Sequence, residues 1–479
     1  MSRTFANFYI AVLVSSLAAL FAVGCSGSGE ATQEEAAEGP ADQPNIVFVL
    51  TDDLDFTSAQ QMPEIASSLV EEGTSFENAF VSHPICCPSR ATILTGLYDH
   101  NHDVRSNRPP PGGFEKFLSE GHEENSIAVR LQEAGGYQTA FFGKYLNGYP
   151  ADDPTHVPPG WDEWYGKLDE QKLYDYRINE NGEVVSYSSE TEDFFTDVLS
   201  RQATDFVGRA APEDQPFFAY VAPTAPHGPA TPAERHKGAF SEEEPPRPPS
   251  YNEEDVSDKP SQIQNTERIS EEEASTIDDR YRQRLESMLA VDEMVGSLVE
   301  ELEAAGELDN TFIFFTSDNG FEQGEHRLQK GKNQAYEESS RVPLLVRGPG
   351  VPVGAKTHKL ALNTDLAPTF ADLAGAEFQA DGRSLVPLLG GDEGPSWRTS
   401  VLLEKSRIPR GYQAVRTDTH KYVEYNNGET ELYDLEADPY ELDDIYESAD
   451  PSLLEDLGAR LEALRSCSEE GCKEAEDAP

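Results

Sequence analysis

The chain has 479 residues, of which 37% are hydrophobic, so it is long enough for two or three domains with a sizeable core. Its 89 acidic residues outnumber its 37 basic residues, and the formal net charge is −52. Nucleic-acid binding requires a basic face, and no basic run is evident, so the composition argues against a nucleic-acid partner.

The N-terminus has the pattern of an export signal. Arg3 supplies a positive charge, and the apolar run at 8–23 is short for a membrane span. The motif Ala-Val-Gly-Cys that ends at Cys25 resembles a bacterial lipobox, which predicts a signal peptide over 1–25 and a lipid on this cysteine. The Gly-, Ser-, Ala- and Glu-rich stretch 26–43 suits a disordered linker. We expect an exported cell-surface lipoprotein that meets the membrane only through its anchor, with a secreted or periplasmic protein as the alternative.

Four apolar runs lead into polar residues, and they predict the main sheet. The runs at 45–50, 137–142, 217–221 and 311–316 are rich in β-branched and aromatic residues and do not alternate, which is typical of buried, mainly parallel strands. Helical periodicity between them, clearest over 278–302, predicts an α/β sandwich. Ligands of such sheets bind at the carboxyl ends of strands. The polar residues that follow the four runs are Asp52, Asp53, Lys144, His227, Asp318 and Asn319.

The segment 86–96 has the sequence CCPSRATILTG and predicts a helix beside an anion pocket. Pro88 suits the first helical position, and Gly96 suits the residue just past the end. A helix start attracts anions, and Arg90 in the first turn adds a permanent cation. The first cysteine, Cys86, is then a candidate nucleophile. A vicinal disulfide or a metal site formed by the two cysteines is the alternative, although neither explains Pro-Ser-Arg.

The strand ends also carry hard oxygen donors, which are Asp52, Asp53, Asp318 and Asn319. Such a set suits Ca²⁺ or Mg²⁺ and lacks the His and Cys ligands expected for zinc. An isolated Asp-Asp pair usually caps a helix, but a second carboxylate-amide pair at another strand end favours a metal. Because the whole chain is acidic, an anion pocket here needs local positive charge, which Arg90, a divalent cation and a few lysines would provide.

Two acidic or proline-rich segments predict loops, and the remaining cysteines fit an exported chain. The segment 241–276 is dense in Glu, Pro and Ser, and 106–125 also looks loop-like. Cys467 and Cys472 are close enough in sequence for a small-loop disulfide, which leaves Cys87 as a buried free thiol.

After residue 390 the pattern changes to short strands. A hairpin signal, Asn-Asn-Gly, stands at 426–428, and an amphipathic helix is predicted at 451–464. We therefore predict a main domain over 44–390 and a C-terminal subdomain over 391–479. The strand candidates of this subdomain are 401–404, 413–417, 421–425 and 431–434.

The pattern Cys-x-Pro-Ser-Arg followed by Thr-Gly resembles the signature of the type I sulfatases, and the resemblance spans about 44–472. It implies an alkaline phosphatase-like sandwich, with a large mixed, mainly parallel sheet flanked by helices and a smaller C-terminal antiparallel sheet. It also implies that a maturation enzyme converts Cys86 to formylglycine, whose hydrated aldehyde is the nucleophile. The family's single divalent ion, usually calcium, would be bound by Asp52, Asp53, Asp318, Asn319 and the modified Cys86.

Three further catalytic residues are implied by the same resemblance. Gly-Lys at Lys144 and Gly-Lys at Lys332 resemble two lysine-containing segments of the family. The lysine of the first segment, which matches Lys144, contacts formylglycine and sulfate. Ala-Pro-His at His227 resembles the segment whose histidine binds sulfate or protonates the leaving alcohol. With Cys86 and Arg90, these are the predicted catalytic residues.

One position departs from the common pattern, since many sulfatases have a histidine where this chain has Leu146. Asn147 and His326 are candidates for its role in the second step. The N-acetylglucosamine-6-sulfatase-like branch, which the chain resembles most, also has leucine here.

That branch implies hydrolysis of a sulfate ester on a carbohydrate, with N-acetylglucosamine 6-sulfate or a related glycan as the binding partner. The alternatives are a phosphoester or phosphonate monoester hydrolase of the same superfamily and a non-catalytic glycan-binding surface protein.

Overall fold

A computed structural model of the chain describes residues 43–391, 396–405 and 411–478. The predicted signal peptide and lipidated Cys25 lie outside the described residues, as does the predicted linker apart from Gln43. Within the described ranges, no helix is long and apolar enough to cross a bilayer.

The described residues form sixteen strands in three sheets. In chain order they are β1 Asn45–Thr51, β2 Thr74–Phe76, β3 Ala79–Phe80, β4 Gln138–Gly143, β5 Glu163–Lys167, β6 Arg177–Glu180, β7 Glu183–Ser186, β8 Phe217–Ala222, β9 Thr311–Ser317, β10 Leu344–Arg347, β11 Ala355–Thr357, β12 Ala361–Leu362, β13 Ser400–Lys405, β14 Tyr412–Thr417, β15 His420–Tyr425 and β16 Thr430–Asp434.

The main sheet has ten strands in the order β11-β2-β10-β9-β1-β8-β4-β5-β6-β7. The five central strands, from β9 to β5, run parallel, whereas β10, β6 and β7 pair antiparallel with their neighbours. The predicted mixed, mainly parallel sheet is therefore confirmed. The four sequence runs that predicted it correspond to β1, β4, β8 and β9.

Both faces of the sheet are covered, which explains why its strands do not alternate. All seven residues of β1 are buried. Ile46 and Phe48 belong to one hydrophobic core, and Val47 and Val49 belong to the other. Because successive side chains of a strand point to opposite faces, a strand between two cores must be apolar throughout.

Thirteen α-helices are assigned within the described residues. They are α1 Pro63–Ile65, α2 Cys86–Thr95, α3 Asp99–His102, α4 Gly113–Ser119, α5 Ile127–Glu133, α6 Phe195–Ala210, α7 Ser261–Gln264, α8 Glu271–Ala305, α9 Glu337–Ser340, α10 Leu366–Leu373, α11 Val386–Leu389, α12 Pro451–Leu464 and α13 Glu470–Glu476.

Two predicted loops contain helices, so these predictions were wrong in part. The long helix α8 begins at Glu271, inside the predicted loop 241–276, because Ser270 and Glu273 form a reciprocal capping box. Its first turn is acidic and exposed, and apolar periodicity does not detect such a turn. The predicted loop 106–125 contains α4, which forms because Phe114 and Phe117 pack into the core.

The C-terminal part follows its prediction closely. Strands β13 to β16 form an antiparallel sheet in chain order, and α12 has the predicted bounds. Cys467 and Cys472 form the predicted disulfide, and Cys87 is a buried free thiol. The domain boundary after residue 390 stays a prediction.

Candidate active site

The polar residues predicted at strand ends lie together at one edge of the main sheet. Strands β9, β1, β8 and β4 are parallel neighbours, so their carboxyl ends share this edge. The Asp53 amide donates to Asp318 Oδ1 at 3.1 Å, and Lys144 Nζ donates to Asp52 Oδ2 at 2.5 Å. The Nε2 atom of His227 lies 3.8 Å from Asp53 Oδ2. Residues that follow four different strands therefore form one cluster.

Helix α2 brings Cys86 to this cluster. The helix begins at Cys86 and ends before Gly96, which has a φ of 68°. Pro88 is the third residue of the helix, whereas the sequence predicted it at the first position. A proline is tolerated there because the first four N–H groups of a helix have no intrahelical acceptor. The fully buried Cys86 Sγ lies 3.5 Å from Asp52 Oδ1.

Two lysine ammonium groups are held in the cluster by its carboxylates. Lys332 Nζ lies 2.8 Å from Cys86 Sγ and also donates to Asp53 Oδ1. Burial, the largest single influence, would lower the pKa of Lys144, but Asp52 and the other acidic groups nearby together raise it above its ordinary value. Burial acts in the same direction on Lys332, and Asp53 and the other acidic groups nearby together raise the pKa of Lys332 well above its ordinary value. Both lysines are therefore cations at neutral pH.

Arg90 is a buried cation that stabilises Asp318, one of the carboxylates of the site. Its side chain is 1% exposed, its Nε donates to Asp318 Oδ2 at 2.8 Å, and one terminal nitrogen donates to the Lys144 carbonyl at 2.6 Å. The other terminal nitrogen lies 4.0 Å from Asp52 Oδ2. Arg90 thus positions an acidic residue of the site and the backbone of a basic one.

The oxygen donors around Cys86 fit a hard divalent cation. Ligand atoms of Asp52, Asp53, Cys86 and His227 all lie within 4.8 Å of one another. Asn319 Oδ1 is buried without a hydrogen-bond partner in the described part of the chain, while its Nδ2 donates to Asp53 Oδ1 at 2.8 Å. An orphaned amide oxygen beside paired carboxylates is the arrangement that a Ca²⁺ or Mg²⁺ ion satisfies.

The electrostatics of the carboxylates support the same interpretation. Burial would raise the pKa of Asp52, but Lys144, the nearby His227 and the cations Arg90 and Lys332 together outweigh it and hold this pKa well below its usual value. Burial and the neighbouring Asp52 raise the pKa of Asp318. Repulsion between buried carboxylates of this kind is what a bound cation relieves.

The unmodified thiol at the centre is a weak nucleophile. Burial raises the pKa of Cys86 to about 12, although Lys144 and Lys332 act in the opposite direction. Because the thiolate is the reactive form of cysteine, this side chain is unreactive at neutral pH unless it is chemically changed.

A cleft of about 720 Å³ opens onto the cluster. Asp53, His227 and Lys332 line it, together with residues of α8 and of the loop before Lys332. His227 is 29% exposed, and its Nδ1 lies 2.8 Å from the Gly228 carbonyl, so its Nε2 is on the side of Asp53. The cleft therefore gives a ligand access to a histidine, a lysine and a carboxylate.

The two candidates for the role of the missing histidine lie outside this lining. His326 is fully buried, and its Nδ1 bonds to Glu253 Oε2 at 2.8 Å. Asn147 donates to Glu170 at 3.4 Å, and Leu146 is buried in the core. Among the histidines considered from the sequence, His227 is the one that lines the cleft.

Sequence analysis missed Arg284, which links two segments of the site. It is 3% exposed, and it donates to the carbonyl of Asp53 and, at 3.2 Å, to that of Pro226. The signal was an arginine inside the apolar stripe of α8, next to Leu285, which the periodicity assigned to core packing alone. Gly143 also has a local role, because a Cβ there would lie 2.1 Å from the Ala222 carbonyl oxygen.

Comparison with known proteins identifies the family. The sulfatase family model matches residues 44–376, and the model described as "N-sulphoglucosamine sulphohydrolase, C-terminal" matches 324–467. The chain belongs to the sulfatase family. This sulfatase is 36% identical to the N-acetylglucosamine-6-sulfatase of Capra hircus, with 91% of this chain and 86% of the relative covered. Its identity to the Homo sapiens protein of the same name is 35%, with 90% and 86% covered.

A solved structure of a protein in complex with its substrate D-glucosamine-2-N,6-O-disulfate is also similar to this sulfatase. The TM-score is 0.75 at 27% identity, and the match covers 91% of this chain and 99% of the other. The predicted alkaline phosphatase-like fold is confirmed.

Proposed function

We propose that this sulfatase hydrolyses sulfate esters of carbohydrates, with a 6-sulfated hexosamine such as N-acetylglucosamine 6-sulfate as its substrate. The observation that carries the proposal is the environment of Cys86, whose Sγ lies 2.8 Å from Lys332 Nζ and 3.5 Å from Asp52 Oδ1 at the start of a buried helix. A reacting group at this position has cations on one side and metal-binding oxygens on the other.

The lysines bind the anionic group of the substrate. Lys144 and Lys332 are fixed as cations by Asp52 and Asp53, so their charge is already oriented before a sulfate ester enters. Positive groups aimed at oxygens that gain charge in the transition state lower the barrier without reorganising. We assign both lysines to the sulfate oxygens.

His227 is assigned to the leaving alcohol. It lines the cleft and is 29% exposed, whereas Lys332 is 15% exposed and Lys144 is buried deeper in the cluster. A proton held on Nε2 would be transferred to the oxygen of the departing sugar, which is general acid catalysis. Arg90 keeps Asp318 and the Lys144 backbone in place and does not face the cleft.

Two groups would supply chemistry that the encoded side chains lack. Asp52, Asp53, Asp318, Asn319 and the modified residue 86 would hold Ca²⁺, with Mg²⁺ as the alternative, and the ion would polarise the sulfate oxygens. Formylglycine at position 86, made by a maturation enzyme, would supply as its hydrate one hydroxyl to attack sulfur and a second to release sulfate.

Export belongs to the same proposal. The N-terminal pattern ending at Cys25 supports a lipid-anchored or secreted enzyme. Relatives named as extracellular sulfatases in Drosophila melanogaster and, putatively, in Caenorhabditis elegans are 35% and 39% identical over about three quarters of this chain. An exterior location suits an enzyme that acts on glycans outside the cell.

The test is a substrate panel on enzyme whose residue 86 has been verified as formylglycine by peptide mass. We expect turnover of N-acetylglucosamine 6-sulfate to exceed that of its 3-sulfate and of aryl phosphate. Cys86→Ala should abolish turnover while the circular dichroism spectrum is retained. Cys87→Ala is the matched control, since Cys87 is equally buried but adjacent to the reacting position, and it should keep turnover. Faster hydrolysis of aryl phosphate, or full activity in Cys86→Ala, would contradict the proposal.

A further inference from the structure

One wall of the cleft carries two cations that no carboxylate neutralises. Arg280 on α8 and Lys330 in the following loop both line the cleft. In the described part of the chain, no carboxylate oxygen lies within 4 Å of either cationic group, although acidic residues outnumber basic ones 89 to 37 in the sequence. Unpaired cations are therefore unexpected here on composition alone.

The acidic residues beside Arg280 are engaged elsewhere. Asp278 pairs with Arg247, and Asp279, which also lines the cleft, pairs with Arg282 at 3.4 Å. Four residues further along α8 lies Arg284, a second cation on the same face of the helix. Like charges at this spacing repel, so the helix bears an unfavourable pair at the cleft.

Arg280 is also incompletely satisfied. Its Nε is buried without a hydrogen-bond acceptor among the described residues, although a terminal nitrogen donates to the carbonyl of Gln329. Burial and the nearby Arg284 lower the pKa of Arg280. A buried N–H group of a cation lowers the stability of the fold unless an acceptor forms a hydrogen bond with it. An oxyanion is the acceptor that fits the geometry of a guanidinium group.

Two contacts define the position of Arg280 and Lys330 relative to the reacting group. Arg284 touches the Asp53 carbonyl, and Arg280 lies one helical turn away, about 6 Å along the axis. The Gln329 carbonyl joins Arg280 to the loop that continues through Lys330 to Lys332. Arg280 and Lys330 therefore share the cleft with the reacting position but lie beyond the residues that would hold the sulfate ester.

We propose that Arg280 and Lys330 form a second anion subsite, which binds a carboxylate or a second sulfate of the substrate while its sulfate ester is at Cys86. The inference rests on the proposed function and adds to it a preference for glycans that carry at least two negative charges. The subsite would orient the sugar and select against neutral neighbours of the sulfated unit.

The test compares substrates that differ in one charge. Wild-type enzyme is assayed on 6-sulfated N-acetylglucosamine, on glucosamine with N- and 6-sulfates, and on the 6-sulfated unit linked to a uronic acid. We expect KM to be lower for at least one of the doubly charged sugars. The double variant Arg280→Gln, Lys330→Gln should lower the ratio of KM values between singly and doubly charged sugars about tenfold, which corresponds to about 1.4 kcal/mol. The two doubly charged substrates distinguish a second sulfate from a carboxylate.

Arg209→Gln is the matched control. It removes a cation from another helix, α6, and Arg209 pairs with Glu163 at 2.8 Å and does not line the cleft. It should keep the wild-type preference. Equal KM values for singly and doubly charged sugars in the wild type, or an unchanged preference in the double variant, would overturn the inference.

Binding separates this inference from the proposed function. Calorimetry on Cys86→Ala should show tighter binding of the doubly charged sugars, and the difference should vanish when both cations are replaced. Absence of turnover with this binding pattern would contradict the proposed function alone. Turnover of the 6-sulfated monosaccharide without any preference would contradict the subsite alone.

Discussion

Arg90→Met tests whether the buried arginine is what allows carboxylates to collect at the sheet edge. Methionine preserves an unbranched side chain of similar length but removes the charge and all its donors. The change leaves Asp318 without its 2.8 Å partner and the Lys144 carbonyl without its 2.6 Å donor. Both acceptors are buried, so water cannot replace the lost contacts.

The expected loss of stability follows from that burial. Removing one member of a buried ion pair costs about 3–5 kcal/mol, because the remaining charge is left uncompensated. We therefore expect the free energy of unfolding of Arg90→Met to fall by about this amount. Adding Asp318→Asn removes the stranded charge, and the double variant should regain about 1–3 kcal/mol without regaining sulfatase activity.

Urea unfolding followed by tryptophan fluorescence measures both effects. Arg177→Met is the control, since Arg177 pairs with Asp169 at 3.0 Å but is 49% exposed, and exposed pairs contribute less than about 1 kcal/mol. If Arg90→Met were no less stable than Arg177→Met, or if Asp318→Asn lowered its stability further, Arg90 would not be compensating the site carboxylates.

Three other expectations address the metal, a buried lysine and the disulfide. Chelation should abolish activity, and Ca²⁺ or Mg²⁺ should restore it; rescue by zinc alone would contradict a site of hard oxygen donors. Lys167 is 3% exposed, its Nζ lies 3.5 Å from the Phe195 ring centre, and burial holds its pKa well below the ordinary value. Lys167→Met should therefore raise stability, and the gain should shrink as pH rises towards about 10.4, because the unfolded chain then loses the same proton; a gain that grows with pH would have the wrong sign. Replacing both cysteines of the Cys467–Cys472 disulfide by serine should lower the urea midpoint by an amount equivalent to about 2 kcal/mol for so short a loop, with kcat unchanged, and a lower kcat would show that this end of the chain affects the site.

The sequence predicted the sheet edge well because strand type and site chemistry are encoded next to each other. A doubly covered strand must be apolar throughout, so the polar residues that end β1 and β9 are conspicuous. Parallel strands then bring Asp52 and Asp318 to one edge without any further information. The α12 boundaries were equally accessible, because Pro451 and the capping Asp450 mark its start.

Features that depend on long-range packing were not accessible from local pattern. The start of α8 is set by a capping box in an exposed acidic turn, which contains no apolar periodicity that would predict a helix. Arg284 looked like an interruption of a core stripe, and only the fold shows that its guanidinium reaches the carbonyls of residues that follow β1 and β8. The contacts of Arg280 with the loop of Lys330 likewise join segments about fifty residues apart.

The charge of the site is determined locally, which reconciles an anion pocket with a net charge of −52. Surface charges more than about 8–10 Å apart are largely screened at physiological salt, whereas two unit charges 4 Å apart interact by about 4 kcal/mol at an effective dielectric constant near 20. Lys144 and Lys332 therefore do more for the positive potential at Cys86 than the acidic surface does against it, and Asp52 and Asp53 hold these lysines in place. The same two carboxylates are candidate metal ligands. Replacing either one would disturb the lysines and the ion together, so such a variant should lose bound metal and activity at the same time.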